Sequence, residues 1–142
     1  MLAHVLCWEP SKHYREIYWL AVGADAVGSE LKQLQSTLHQ QLTGRGVQSE
    51  EVQDKEERKW LAMLMEAMAK KQQALLVLDD PWLPDQVRYL NPIDGAQTNH
   101  RLLVTTRIRD LVMSFPYAHL TAAPISNALH LRYRRPLEWS CR

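Results

Sequence analysis

The sequence predicts an α/β protein in which a parallel β-sheet carries helices on both faces. Three short apolar runs have the length and composition of buried strands: Glu16 to Val22, Ala74 to Leu78 and Arg101 to Thr105. Between them, apolar residues recur at intervals of three or four, which is the spacing of one face of a helix. Strands that alternate with helices are typical of a parallel sheet, because each helix carries the chain back to the edge where the next strand begins.

The first strand (EIYWLAV) is rich in aromatic and aliphatic residues and ends at Gly23, which favours a buried strand over a short helix. A helix of about four turns is predicted after it, since four leucines lie on one of its faces. Glycines at 44 and 46 supply the stop, so Gly44-Arg45-Gly46 is interpreted as a helix C-cap. The four leucines are Leu31, Leu34, Leu38 and Leu42.

A second helix is predicted to follow the mostly charged stretch between residues 48 and 59. Charges of alternating sign favour an exposed helix, so this stretch is interpreted as the solvated first turn of that helix. The methionine-rich stripe that comes next is interpreted as core packing and not as a cofactor site. Its residues are Trp60, Leu61, Leu64, Met65 and Met68.

The later elements are shorter. A loop rich in Pro, Asn, Asp and Gly surrounds a short segment from Leu83 to Leu90. We expect a short helix over Ile108 to Met113, a fourth strand over His119 to Thr121, and the start of a helix within Asn127 to Leu131. The sequence predicts a domain over residues 1–125, and it leaves residues 126–142 as an unassigned C-terminal tail.

Charge and composition exclude several classes of function. The 17 basic and 16 acidic residues give a net charge of +1, which is too weak a field to predict a nucleic acid or an anionic membrane as a partner. Cys7 and Cys141 stand near opposite ends without a Cys/His cluster, so neither a metal site nor a disulfide framework is indicated. The apolar start, Met1 to Trp8, lacks the features of a signal peptide and is too short to span a bilayer, which predicts a cytoplasmic protein.

Polar residues stand at the ends of two predicted strands. Asp79 and Asp80 follow one strand, and Thr105, Thr106 and Arg107 end the next. Ligands of open parallel sheets bind beyond the carboxyl ends of the strands, so these positions are the first candidates for function. Asp79 is predicted to hold Mg²⁺, Asp80 to orient or polarise an attacking water, and Arg107 to read a terminal phosphate.

A structural alternative exists for the same residues. Asp79 and Asp80 can simply begin a turn before Pro81, and Arg107 can be an ordinary surface residue. The loop that would cradle phosphates, GxxxxGK[ST], is absent from the 142 residues. No HExxH or GxSxG motif marks another catalytic site, and the histidines are scattered along the chain.

Read in order, the segments IYWLAVG, ALLVLDDPW and RLLVTTR resemble the NB-ARC domain. This family is the nucleotide-binding switch of plant disease-resistance proteins and apoptotic protease-activating factors, within the STAND class of P-loop NTPases. LLVLDD followed by Trp82 is similar to the family's Walker B segment, and LLVTTR is similar to its sensor strand. The opening MLAHVL is similar to the helix that follows the phosphate loop, which predicts an incomplete form of the three-layer P-loop NTPase fold.

The resemblance implies an ADP- or ATP-binding regulatory domain with Mg²⁺ and, at most, slow ATPase activity. It places Asp79 at the metal and Asp80 in hydrolysis, and it assigns Thr105, Thr106 and Arg107 to sensing the terminal phosphate. Its expected partners are the nucleotide and other protein domains of a signalling complex. The missing phosphate loop leaves an alternative open, namely a nucleotide-free interaction domain or a relic fragment of a longer protein.

Overall fold

The computed structural model describes residues 14–93, 99–114, 118–122 and 129–133 of the chain. This part holds five strands and five helices. The strands are β1 (Glu16–Ala21), β2 (Ala74–Asp79), β3 (Arg101–Thr106), β4 (Ala118–Ala122) and β5 (Leu129–Tyr133). The helices are α1 (Ser29–Thr43), α2 (Ser49–Asp54), α3 (Glu57–Ala69), α4 (Pro84–Leu90) and α5 (Arg109–Met113).

The strands form a single sheet in the order β1-β2-β3-β5-β4. Strands β1, β2 and β3 are parallel neighbours, which confirms the predicted α/β class with a parallel sheet. Strand β5 pairs antiparallel with β3, and β4 pairs antiparallel with β5. Six residues separate β4 from β5, whereas a parallel connection needs a crossover of a dozen residues or more, so this pair has to run antiparallel.

One face of the parallel sheet carries the main core. Alternate strand residues such as Leu20, Leu76 and Val104 join one cluster with buried residues of α1, α3, α4 and α5. The second face carries a smaller cluster centred on Leu75, Val77 and Leu103. The segment MLAHVL, predicted as a further helix, lies outside the described residues. The helices that the structure describes pack on the first face of the sheet.

The predicted end of the first helix is confirmed. Gly44 follows α1 with a φ of 72°, in the left-handed region, and its N–H donates to the Gln40 carbonyl oxygen at 2.8 Å. Residues with a Cβ avoid this backbone conformation, whereas glycine adopts it without steric penalty. The glycine therefore both stops the helix and satisfies one of its last carbonyl groups.

The prediction that the charged stretch is the first turn of a longer helix was right for residues 57–59, which begin α3, and wrong for Ser49–Asp54, which form the separate helix α2. Lys55 and Glu56 have extended backbone, with ψ values of 138° and 151°, and they separate α2 from α3. The buried indole N–H of Trp60 donates to the Val52 carbonyl oxygen at 3.2 Å, which ties the short helix to the longer one. The spacing of apolar residues does not reveal this break, because α2 adds little to the apolar pattern. Among the described side chains of α2, Val52 is the one buried apolar residue.

The expected helix start within Asn127 to Leu131 was wrong as well, because residues 129–133 form β5. The segment LHLRY alternates leucine and tyrosine with polar residues, which is the period of a strand and not of a helix. The fourth strand and the short helix before it were predicted correctly within one or two residues. No helix among the described residues is long and apolar enough to cross a membrane.

Candidate functional site at the carboxyl ends of β2 and β3

Asp79 and Thr105 meet where β2 and β3 end. They are direct partners in the parallel register, and by strand alternation both lie on the second face of the sheet. The Thr105 hydroxyl donates a hydrogen bond to Asp79 Oδ1. The backbone N–H of Asp80 donates to the Thr105 carbonyl oxygen at 2.7 Å, so the two strand ends are joined by side chain and backbone.

Asp80 begins the turn that leaves the sheet. Its φ is 54°, a left-handed value that few residues with a Cβ adopt and that Asp tolerates better than most. Its carboxylate accepts two hydrogen bonds from Arg107, from Nη2 to Oδ2 at 2.6 Å and from Nε to Oδ1 at 3.2 Å. The two acidic residues of the motif thus have different partners, Asp79 a hydroxyl and Asp80 a guanidinium.

The Asp80–Arg107 pair is partly open to solvent, with 33% and 60% of the two side chains exposed. The Arg107 hydrogen bond holds the pKa of the Asp80 carboxyl below its ordinary value. The Asp80 carboxylate in turn raises the pKa of Arg107. Arg107 also lies over the ring of Trp82, with its Cζ 5.5 Å from the ring centroid. Carboxylate and indole therefore fix the guanidinium at the strand ends.

Thr106 is placed differently from the other predicted site residues. It is buried, its hydroxyl donates to the Pro81 carbonyl oxygen at 2.8 Å, and it accepts from the Ile108 N–H at 3.1 Å. These contacts join the turn after β2 to the turn after β3. In this arrangement the Thr106 hydroxyl shapes the two turns that carry Asp80 and Arg107.

Gln86 is a site residue that sequence reasoning missed. Its side chain is buried, and its Oε1 accepts hydrogen bonds from the Trp82 and Leu83 N–H groups at 2.7 and 3.0 Å. Its Nε2 donates to the carbonyl oxygens of Gly23 and Ala26 at 3.0 and 3.1 Å. One amide thus holds the loops that follow β1 and β2. A sequence signal for this role was present: Gln86 stands at the third position of a helix that begins with Pro84, where a glutamine side chain can accept from or donate to the backbone before the helix.

Comparison with known families identifies the domain. A model of the NB-ARC domain family matches residues 7–124, which is most of the chain. The chain belongs to the NB-ARC family. A search among curated proteins found no match. Membership agrees with the parallel sheet and with the acidic and Thr-Thr-Arg ends of its second and third strands, and it makes this an NB-ARC domain of the nucleotide-binding, P-loop NTPase-like type.

The residues at the strand ends of this NB-ARC domain fit a magnesium ion whose other ligands are phosphate oxygens and water. Mg²⁺ is commonly held by one or two carboxylates, with phosphate oxygens and water completing the octahedron. Asp79 supplies one such carboxylate, and the Thr105 hydroxyl orients it. Among the described residues, no group of three His, Cys, Asp or Glu side chains is close enough together to hold a metal without other ligands. Metal binding at Asp79 would therefore depend on the nucleotide.

Proposed function

We propose that this NB-ARC domain is an ADP- or ATP-binding regulatory switch of a signalling or defence-type protein. The observation that carries the proposal is the meeting of Asp79, Asp80 and Arg107 at the carboxyl ends of adjacent parallel strands in a chain of this family. Open α/β sheets bind their ligands at this edge. A carboxylate beside a fixed cation is also the combination that a metal-bound phosphate requires.

Asp79 would hold the metal in this proposal, and Thr105 would position it. The magnesium ion, when bound, supplies positive charge that neutralises phosphate oxygens. The Thr105 hydroxyl keeps Asp79 Oδ1 on the second face of the sheet and leaves the other carboxylate oxygen for the ion or its water. Removing the Asp79 carboxylate should therefore weaken nucleotide binding in the presence of Mg²⁺.

The switch would act through Arg107. Its guanidinium is bound to Asp80, so a terminal phosphate has to compete with that carboxylate. When Arg107 moves to the phosphate, Asp80 is released to orient a water for slow hydrolysis. ATP and ADP then differ in one contact, and this difference is what a nucleotide needs in order to bias a conformational equilibrium.

Calorimetric titration with ADP and ATP, with and without Mg²⁺, tests the proposal. We expect binding in the micromolar range that requires Mg²⁺, and a loss of about tenfold or more in Asp79→Ala. Asp54→Ala is the matched control, because Asp54 is an exposed aspartate at the end of α2. Equal affinity in wild type and Asp79→Ala would contradict the assigned site, and the absence of any binding would contradict the switch itself.

The second candidate is a nucleotide-free domain that interacts with other protein domains. The observation that favours it is that Arg107 already has a carboxylate and an indole as partners. This candidate predicts no heat of nucleotide binding at any Mg²⁺ concentration. The titration above therefore separates the two candidates.

A further inference from the structure

A cleft that is separate from the strand-end site lies beside the fourth helix, α4. It is an open cleft of about 480 Å³ between the loop after β1, the first turn of α1, the start of α3 and the start of α4. We call it the α4 cleft. Residues that line it include Val27, Leu31, Glu57, Leu83, Asp85 and Tyr89, and none of the strand-end residues Asp79, Asp80 and Arg107 is among its lining.

The cleft has an exposed apolar rim. Val27 and Leu83 line the cleft and are 55% and 42% exposed. They are two of the four large hydrophobic residues that are exposed among the side chains the structure describes. Single exposed apolar residues are common on protein surfaces, but a group of them beside a cavity is typical of a binding surface.

The charged residues of the cleft all have one sign. Glu57 and Asp85 line it, and no lysine or arginine does. Within the described residues, neither carboxylate forms an ion pair, whereas Glu16, Glu66 and Asp80 each do. Both stand in first helical turns, where the helix dipole offsets about half a charge. Uncompensated negative charge therefore remains at the cleft and favours a cationic occupant.

Two buried glutamines fix the walls of the cleft through hydrogen bonds to backbone groups. Gln35 Nε2 donates to the carbonyl oxygens of Glu57 and Tyr89 at 3.0 and 2.9 Å, which fixes α3 against α4. Gln86 fixes the loop after β1 against the start of α4, as described above. A site whose walls are already fixed loses less conformational entropy on binding, so a short ligand can bind it measurably.

We propose that the α4 cleft binds a peptide segment of a protein partner in which aliphatic side chains are flanked by lysine or arginine. The aliphatic groups would cover Val27, Leu31 and Leu83, and the flanking cations would pair with Glu57 and Asp85. A nucleotide phosphate is a poor occupant, because the two carboxylates would repel it. The proposal therefore adds a protein-binding surface and does not depend on nucleotide binding at the strand ends.

NMR titration of the isotopically labelled full chain, without nucleotide, tests the proposal. The probe is an octapeptide with two central leucines, one lysine on each side of them, and Gly-Ser ends. We expect saturable shifts of the amide signals of Val27, Gly28, Leu83 and residues 85–89. Two matched peptides, one with glutamate in place of lysine and one with serine in place of leucine, should bind at least about tenfold more weakly.

Two double variants separate specific from non-specific binding. Glu57→Gln with Asp85→Asn should weaken binding of the lysine-leucine peptide about tenfold, and so should Val27→Ser with Leu83→Ser. Glu66→Gln with Asp54→Asn removes two exposed acids elsewhere and should leave it unchanged. The proposal is overturned if the signals that shift lie outside the cleft, if all three peptides bind alike, or if the control variant weakens binding as much as the cleft variants.

Discussion

Gln86 uses both ends of one amide to organise the carboxyl edge of the sheet. Its oxygen serves two N–H groups of the turn after β2, and its nitrogen serves carbonyl oxygens of the loop after β1. A buried amide with both ends bonded specifies how these loops pack, which purely apolar contacts do not do as strictly. The Gln86 side chain therefore fixes the position of the loop that bears Trp82 relative to the loop after β1, which lines the α4 cleft.

We expect Gln86→Ala to lower the free energy of unfolding by about 2 kcal/mol, because buried backbone groups lose their partners. Amide hydrogen exchange should accelerate at Trp82 and Leu83, whose N–H groups donate to Gln86. Urea unfolding and exchange measured by NMR check the two effects. Gln33→Ala, at an exposed position of α1, is the control and should change neither. A destabilised variant with unchanged exchange at Trp82 and Leu83 would contradict the role given to Gln86.

The candidate site was predictable from the sequence only at the level of single residues. Asp79, Asp80 and Arg107 stood out because polar residues at the ends of apolar strands are unusual. The pairing of Arg107 with Asp80 depends on the register of two strands and on a left-handed turn, and local sequence predicts neither. Gln86 was missed because a single polar residue in a helical segment carries no periodic signal.

Helix α1 is an element whose C-terminal end and packing face were both predicted. Its buried leucines recur at helical spacing, and the glycine after it adopts the left-handed conformation that ends many helices. The region of α2 and α3 was harder, because the break at Lys55 and Glu56 is a backbone feature that interrupts no apolar pattern. A boundary that has neither Gly or Pro nor a Ser, Thr, Asp or Asn cap carries little local signal.

Gly44 and Gly46 give a matched test of this helix end. A Cβ at Gly44 meets no atom within 4 Å, so Gly44→Ala should cost about 1 kcal/mol from its φ of 72° alone. A Cβ at Gly46 makes an ordinary contact of 3.7 Å with Gln40, and its backbone is not left-handed. Gly46→Ala should therefore be neutral or slightly stabilising. Thermal unfolding of both variants measures the difference, and equal effects would contradict the C-cap assigned to Gly44.

At the scale of the whole molecule, two buried or half-buried histidines link stability to pH. The His100 Nδ1 accepts a hydrogen bond from the Ala74 N–H at 3.1 Å, so the imidazole must be neutral. His39 packs against the fully buried Trp60 with their ring centroids 6.0 Å apart. Burial is the largest cause that lowers the pKa of both imidazoles below the ordinary 6.5.

Stability should therefore fall on the acid side of neutrality. A histidine whose pKa is lowered by folding binds its proton more readily in the unfolded chain, so its contribution is complete above pH 6.5 and is lost as pH falls through its folded pKa. Each histidine contributes at most about 1.4 kcal/mol per pH unit to the slope of the free energy of unfolding against pH. Urea unfolding between pH 7.5 and about pH 5 measures this slope.

The variant His39→Gln with His100→Gln is the control for this pH dependence, because it carries no imidazole at either position. We expect its free energy of unfolding to change little over the same range. Asp80 and Glu16, whose pKa values are also lowered, act at lower pH because their ordinary values are 3.8 and 4.5. An equally steep loss of stability in the double variant would show that other groups are responsible.

The parallel strands of the sheet and its edge strand β4 were predicted, whereas β5, which pairs antiparallel between β3 and β4, was missed. The strands β1, β2 and β3 are apolar enough to be recognised without their neighbours, since β2 is buried on both faces. Strand β5 is five residues long and carries alternating polar residues, so its place in the sheet depends on pairing with β3 across the chain. Such long-range pairing leaves only a weak local trace.

The left-handed backbone of Asp80 decides how this position can be studied. Alanine at 80 would remove the carboxylate and, because Ala tolerates the left-handed region less well than Asp, would also add strain to the turn. Asparagine tolerates the same dihedral angles, so Asp80→Asn replaces the charged carboxylate with a neutral amide without that strain. An alanine scan would therefore exaggerate the importance of the second aspartate, and Asp80→Asn is the substitution whose effect reports on chemistry.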